Sequence, residues 1–193
     1  KIIPERHEAL KQYIETLHIT NFEIPGAPFK DVLGKDRKRA IRYYHDFYQY
    51  LKENGWEKGA YLYMLDEPNT KEAYQLVRDL GALVKEASPE IRRLVVEQTF
   101  TQNPEWGDID NSVDIWCPLF GLIDEKTIKE KIKQGDEVWS YTALVQRPKS
   151  YRPDYEKLKD KDPPYWQIDF PVINYRIPLW INWRYHITGL LYW

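Results

Sequence analysis

Cysteine is nearly absent: Cys117 stands alone among 193 residues, which excludes an internal disulfide and leaves the redox compartment open. No apolar run approaches the roughly 18–20 residues that a membrane span needs. Neither sign of charge dominates, with 28 basic against 30 acidic residues and a net charge of -2. Nothing in that balance suggests a nucleic-acid partner or a charged membrane surface. Glycine is sparse at nine residues, and no Gly-rich phosphate loop follows any predicted strand, which weakens a nucleotide-binding reading. His7, His18, His45 and His186 are scattered, with no HExxH and no cysteine pairing, so neither a metal nor a cofactor is expected. A Gly-x-Ser-x-Gly elbow is also missing. The chain opens Lys-Ile-Ile-Pro, with neither an initiator Met nor a signal peptide, and reads as part of a larger protein with further domains.

Aromatic residues are abundant: 8 Trp, 15 Tyr and 6 Phe. Most suit a core, but Trp and Tyr also form the platforms on which sugar rings stack. The length suits one sizeable core and one domain over residues 1–193. Its centre is the stretch 60–69. Ala60–Leu65 reads as a strand buried on both faces and runs into Asp66 and Glu67, where Pro68 stops it. A helix over 70–87 follows, with Asn69 as predicted N-cap, Glu72 as capping-box partner and Ala73, Leu76, Val77 and Leu80 on one face.

The same alternation extends both ways. Helices are predicted over 4–17, over 37–54 with Gly55 as C-terminal cap, and over 125–134 between Asp124 and Gly135. A further helix is expected behind Asp169 and Pro171. Strands are predicted over 18–24, 93–99, 113–117, 137–142 and 188–193, and 146–164 reads as an elaborated loop. About six strand-loop-helix repeats imply an α/β fold with a parallel sheet and right-handed crossovers. An open doubly wound sheet and a (β/α)8 barrel both satisfy this. Polar and aromatic residues at several strand ends favour the barrel. The expectation is a partial TIM barrel of about six βα units, lacking about two on its N-terminal side.

Strand ends supply the candidate chemistry. Adjacent carboxylates such as Asp66 and Glu67 can divide labour when their environments separate their pKa values. The bland alternative is that they complement the start of the next helix. Glu97 could serve as the nucleophile of a two-carboxylate retaining glycosidase, roughly 5 Å from its acid, or as a buried structural partner; Gln98 adjoins it. Trp116 ends the third strand as sugar platform or core residue. Trp139 and Tyr141 share a face of the fourth, so both line the barrel mouth or both are packing. Asp169, Arg176, Trp180, Asn182, Trp183 and Arg184 crowd one segment and read mainly as helix capping and helix–barrel packing.

Taken together, Tyr61-Leu-Tyr-Met-Leu-Asp-Glu-Pro68, Val113-Asp-Ile-Trp-Cys-Pro118 and Ile168-Asp-Phe-Pro with Arg176, Trp180 and Gly189-Leu-Leu-Tyr-Trp193 resemble the catalytic domain of glycoside hydrolase family 123, also called domain of unknown function 4091. The resemblance runs roughly from residue 37 onward. It implies a (β/α)8 barrel with the acidic pair after the fourth strand, and retaining, substrate-assisted hydrolysis of β-linked N-acetylgalactosamine through an oxazoline. Glu67 would be the general acid/base, and Asp66 would orient the 2-acetamido group. Tyr141 is the candidate donor to the acetamido oxygen, with Trp116, Trp139 and Trp193 as pocket walls and Gln98 as a further substrate contact. The implied partner is a carbohydrate, and the implied setting is secreted or on a bacterial cell surface. A protein nucleophile such as Glu97, or a non-catalytic carbohydrate-binding barrel, are the competing expectations.

Overall fold

The computed structural model describes residues 6–142, 166 and 172–192. The chain is mixed α/β and divides into two compact units, one of residues 1–95 and 105–113, the other of residues 96–104 and 114–193. Strands within each unit are neighbours in chain order.

The first unit opens with a short helix α1 (His7–Lys11) that continues as one π-helical turn, Gln12–Thr16. Strand β1 is only Phe22–Glu23, shorter than the predicted 18–24. It pairs in parallel with β2 (Ala60–Asp66), Phe22 opposite Ala60. Helix α2 (Arg37–Asn54) buries Ala40, Tyr44, Phe47, Tyr48, Tyr50 and Leu51; of the face that periodicity predicts (Ile41, Tyr44, Phe47, Tyr48 and Leu51), Ile41 is only half-buried. It ends at Gly55, whose φ of 73° is the left-handed conformation that a C-terminal cap demands.

Helix α3 (Lys71–Ala87) buries Tyr74, Val77, Leu83 and Val84. Its N-cap is Thr70, one residue later than the Asn69 expected. The Thr70 hydroxyl accepts the Ala73 backbone N–H at 3.1 Å. Strand β3 (Arg92–Val96) follows, with Leu94 and Val95 fully buried. Burying each such side chain contributes about 1.5–3 kcal/mol. Arg78 of α3 ties down the following loop by donating to the carbonyls of Trp106 and Asp108, both at 3.0 Å.

In the second unit β4 is Ile115–Trp116 and β5 is Glu137–Thr142, paired in parallel with Ile115 opposite Glu137. Between them runs helix α4 (Glu125–Gln134), capped by Asp124, whose carboxylate accepts the Thr127 backbone N–H at 2.8 Å. Gly135 closes it at φ 101°. Helix α5 (Ile177–Tyr185) then leads to β6 (Gly189–Tyr192), which pairs in parallel with β5, Tyr141 opposite Leu191. The predicted helix start at Asp169 and the loop 146–164 lie outside the described residues. Among the described residues no helix is long and apolar enough to cross a membrane.

Candidate active site

Strand β2 presents two faces. Ala60, Leu62 and Met64 are buried, whereas Tyr61, Tyr63 and Leu65 are half-buried, the period-2 signature of a strand with one closed and one open face. Asp66 is the last residue of the strand, and both it and Glu67 are exposed while Pro68 is buried. The chain turns at Glu67, whose φ of 42° puts a non-glycine residue in the left-handed region. That conformation costs about 1–2 kcal/mol for an L-residue. Strain of this kind collects where function fixes the backbone. Pro68 and Thr70 complete the turn, and Thr70 starts α3. The N-cap of α3 is thus Thr70.

Asp66 has a defined partner. The Tyr63 hydroxyl donates to Asp66 Oδ1 at 2.9 Å. In an extended strand residues three apart point to opposite faces, so this bond records a rotation of the Asp66 side chain toward the open face as the strand ends. Tyr63 was not among the residues singled out from sequence. The available signal was its place in Tyr61-Leu62-Tyr63, which sets two phenols on the face leading to the acidic pair.

The second unit holds the other described candidates, Glu97, Gln98, Trp116, Trp139 and Tyr141. Glu97 is 1% exposed. Its carboxylate accepts the Gln98 backbone N–H at 2.6 Å, and Gln102 Nε2 lies 2.8 and 3.0 Å from its two oxygens. Both oxygens are engaged, which describes a buried acceptor that holds the 97–102 loop. Gln98 is also buried, and among the described residues its side-chain Oε1 accepts no hydrogen bond. An orphaned acceptor in such a place is unusual for a protein interior.

Trp116 is 2% exposed. Lys131 of α4 sets its ammonium 4.5 Å from the ring centroid, and the indole N–H donates to Asp136 Oδ2 at 2.9 Å. A ring with its face under a cation and its edge bonded is a packing element here, not an open sugar platform. Trp139 is buried too. Its N–H donates to Glu137 Oε2 at 3.3 Å, and Gly189 lies so close that a Cβ there would meet the ring at 2.5 Å. Ser140 points the other way, donating to Asn182 Oδ1 of α5 at 2.9 Å. Alternation therefore places Trp139 and Tyr141 on the face of β5 away from α5. Tyr141 is buried, and its backbone N–H donates to Pro118 O at 3.1 Å. Trp193 lies outside the described residues.

Asn182 is buried and donates to Gly189 O at 3.0 Å, a helix-to-strand clamp in keeping with the packing role expected for this segment. Trp180 and Trp183 of the same helix are exposed instead, their rings 6.4 Å apart.

No family model matches the chain, and no curated protein matches it. Among solved structures, one described as a "putative glycerophosphodiester phosphodiesterase" from Galdieria sulphuraria is similar over 95% of this chain, with 10% identity and a TM-score of 0.45. This chain covers 59% of that protein's length. So distant a likeness says nothing about activity.

Proposed function

We propose that this chain is part of the catalytic domain of a glycoside hydrolase acting on β-linked 2-acetamido sugars, N-acetylgalactosamine in particular, on a partial (β/α)8 barrel. The carrying observation is the Asp66–Glu67 pair at the C-terminal end of a parallel strand. Asp66 is oriented by Tyr63, and Glu67 is held at φ 42°. Ligand chemistry in parallel α/β folds collects at that end of the strands. Chain-order neighbours within each unit also suit a barrel, whereas a doubly wound sheet reverses its strand order at a switch point.

In this reading Glu67, protonated, gives its proton to the glycosidic oxygen as the bond to C1 breaks. The substrate's acetamido oxygen attacks C1 from the opposite face and forms the oxazoline. Asp66 accepts the acetamido N–H, which orients the group and stabilises its developing positive charge. Glu67, now ionised, takes a proton from water as that water opens the oxazoline at C1, and the configuration is retained. An internal nucleophile reacts at high effective molarity, so no second carboxylate is needed within 5 Å of the acid, unlike in the roughly 5 Å two-carboxylate arrangement. The engaged, buried carboxylate of Glu97 gives no support to a direct protein nucleophile.

Hydrolysis of nitrophenyl β-N-acetylgalactosaminide, beside its glucosamine and plain galactose analogues, tests this reading. Turnover is expected only with acetamido sugars and is expected to be blocked by a thiazoline analogue of the oxazoline. Cleavage of the plain galactoside contradicts the substrate-assisted step. Saturable sugar binding without cleavage contradicts catalysis and leaves a carbohydrate-binding protein.

A further inference from the structure

Tyr63 sits three residues before the catalytic pair, on the open face of β2, and its phenol reaches Asp66 Oδ1 at 2.9 Å. Among the described residues no other hydrogen bond reaches the Asp66 carboxylate. Oδ1 is therefore engaged by the phenol, and Oδ2 retains its lone pairs for an external donor. Asp66 is exposed and stands at the strand's last position, so packing alone does not fix its rotamer. One hydrogen bond from a side chain rooted within the strand limits its rotation.

We infer that Tyr63 is a positioning residue for substrate: its hydroxyl holds Asp66 so that Oδ2 faces the acetamido N–H. The inference rests on the glycosidase reading above and adds to it the residue that aims the acetamido-orienting carboxylate. Tyr63 touches neither sugar nor leaving group in this scheme and acts through Asp66. The chemistry explains why a phenol is useful there. A neutral O–H donor orients a carboxylate without neutralising it, so the acceptor keeps the charge that stabilises the oxazolinium. A lysine or arginine in its place would satisfy Asp66 and oppose that developing positive charge.

The test is a double-mutant cycle on nitrophenyl β-N-acetylgalactosaminide, whose activated leaving group keeps slow variants measurable. Tyr63→Phe removes one oxygen and leaves the ring, so folding is preserved, and thermal melting checks this. The expected result is a kcat about tenfold lower with KM little changed, the scale of one hydrogen bond to a charged group. In an Asp66→Ala background the same Tyr63→Phe change is expected to leave the residual rate within about twofold, because the group it positions is gone. An undiminished kcat in Tyr63→Phe, or an equal loss in both backgrounds, overturns the positioning role while the glycosidase reading stands. Failure of the parent protein to cleave any acetamido sugar overturns both, so the two failures are told apart by the unmutated chain.

Discussion

At the scale of single residues, the most informative feature is the backbone of Glu67. A left-handed glutamate at φ 42° is a local cost, about 1–2 kcal/mol, set at the turn between β2 and α3. Glycine meets the same geometry without a Cβ clash, at a price in unfolded-state entropy of roughly 0.4–1 kcal/mol. Glu67→Gly is therefore expected to raise stability by about 0.5–1 kcal/mol in denaturant unfolding while abolishing hydrolysis. Destabilisation by that change would mean that the carboxylate, rather than the backbone, holds the turn. Other residues show how far the strand-end rule extends. Sequence placed Trp116 and Trp139 at strand ends, where either platform or packing was open. The structure puts Lys131 over one ring and Gly189 against the other. Neither contact is visible in a linear pattern, because both partners are brought in from other elements.

At the scale of elements, the end signals were mostly readable and the strand lengths were not. Gly55, Asp124 and Gly135 close or open their helices as their residue types require. Strand β4 covers Ile115–Trp116 rather than 113–117, since a run of apolar residues records burial and says nothing of where the ladder hydrogen bonds stop. The N-cap of α3 is Thr70 rather than Asn69; both residue types cap well, so residue type alone does not choose between neighbours. Helix ends also give pH-dependent consequences. The Thr127 backbone N–H, reinforced by the Thr127 hydroxyl, lowers the Asp124 carboxyl below its ordinary value. A depressed carboxylate contributes stability that is present above its unfolded pKa and is lost as pH falls through the lower folded pKa. Asp124→Ala is expected to cost about 1 kcal/mol at neutral pH. That gap between variant and parent should narrow in matched melts as pH falls through the lowered folded pKa and the carboxylate protonates; a gap unchanged in acid would contradict capping by the ionised form. Inside α3, Gly81 lies against the 110–112 turn, where an added Cβ would meet Ser112 Cβ at 2.6 Å and its carbonyl oxygen at 2.9 Å. Gly81→Ala gains about 1 kcal/mol of helix propensity and forces a clash of about 1–3 kcal/mol. A lower melting temperature is expected, and a higher one would show that the turn yields.

At the scale of the whole molecule, the βα alternation and the strand that carries the acidic pair were legible because each is written in local periodicity and in residues that stop a run. The Tyr63–Asp66 bond was not, since it is set by how two side chains turn toward each other at the end of β2, which no linear pattern announces. The proposed hydrolysis turns on Glu67 as the proton donor. Its most direct test is Glu67→Gln, assayed on N-acetylgalactosaminides with a poor and a good leaving group. The expected result is a fall of about 10²–10⁴-fold for the poor leaving group and a much smaller fall for nitrophenol, which departs without protonation. Near-parental rates on both substrates would contradict it.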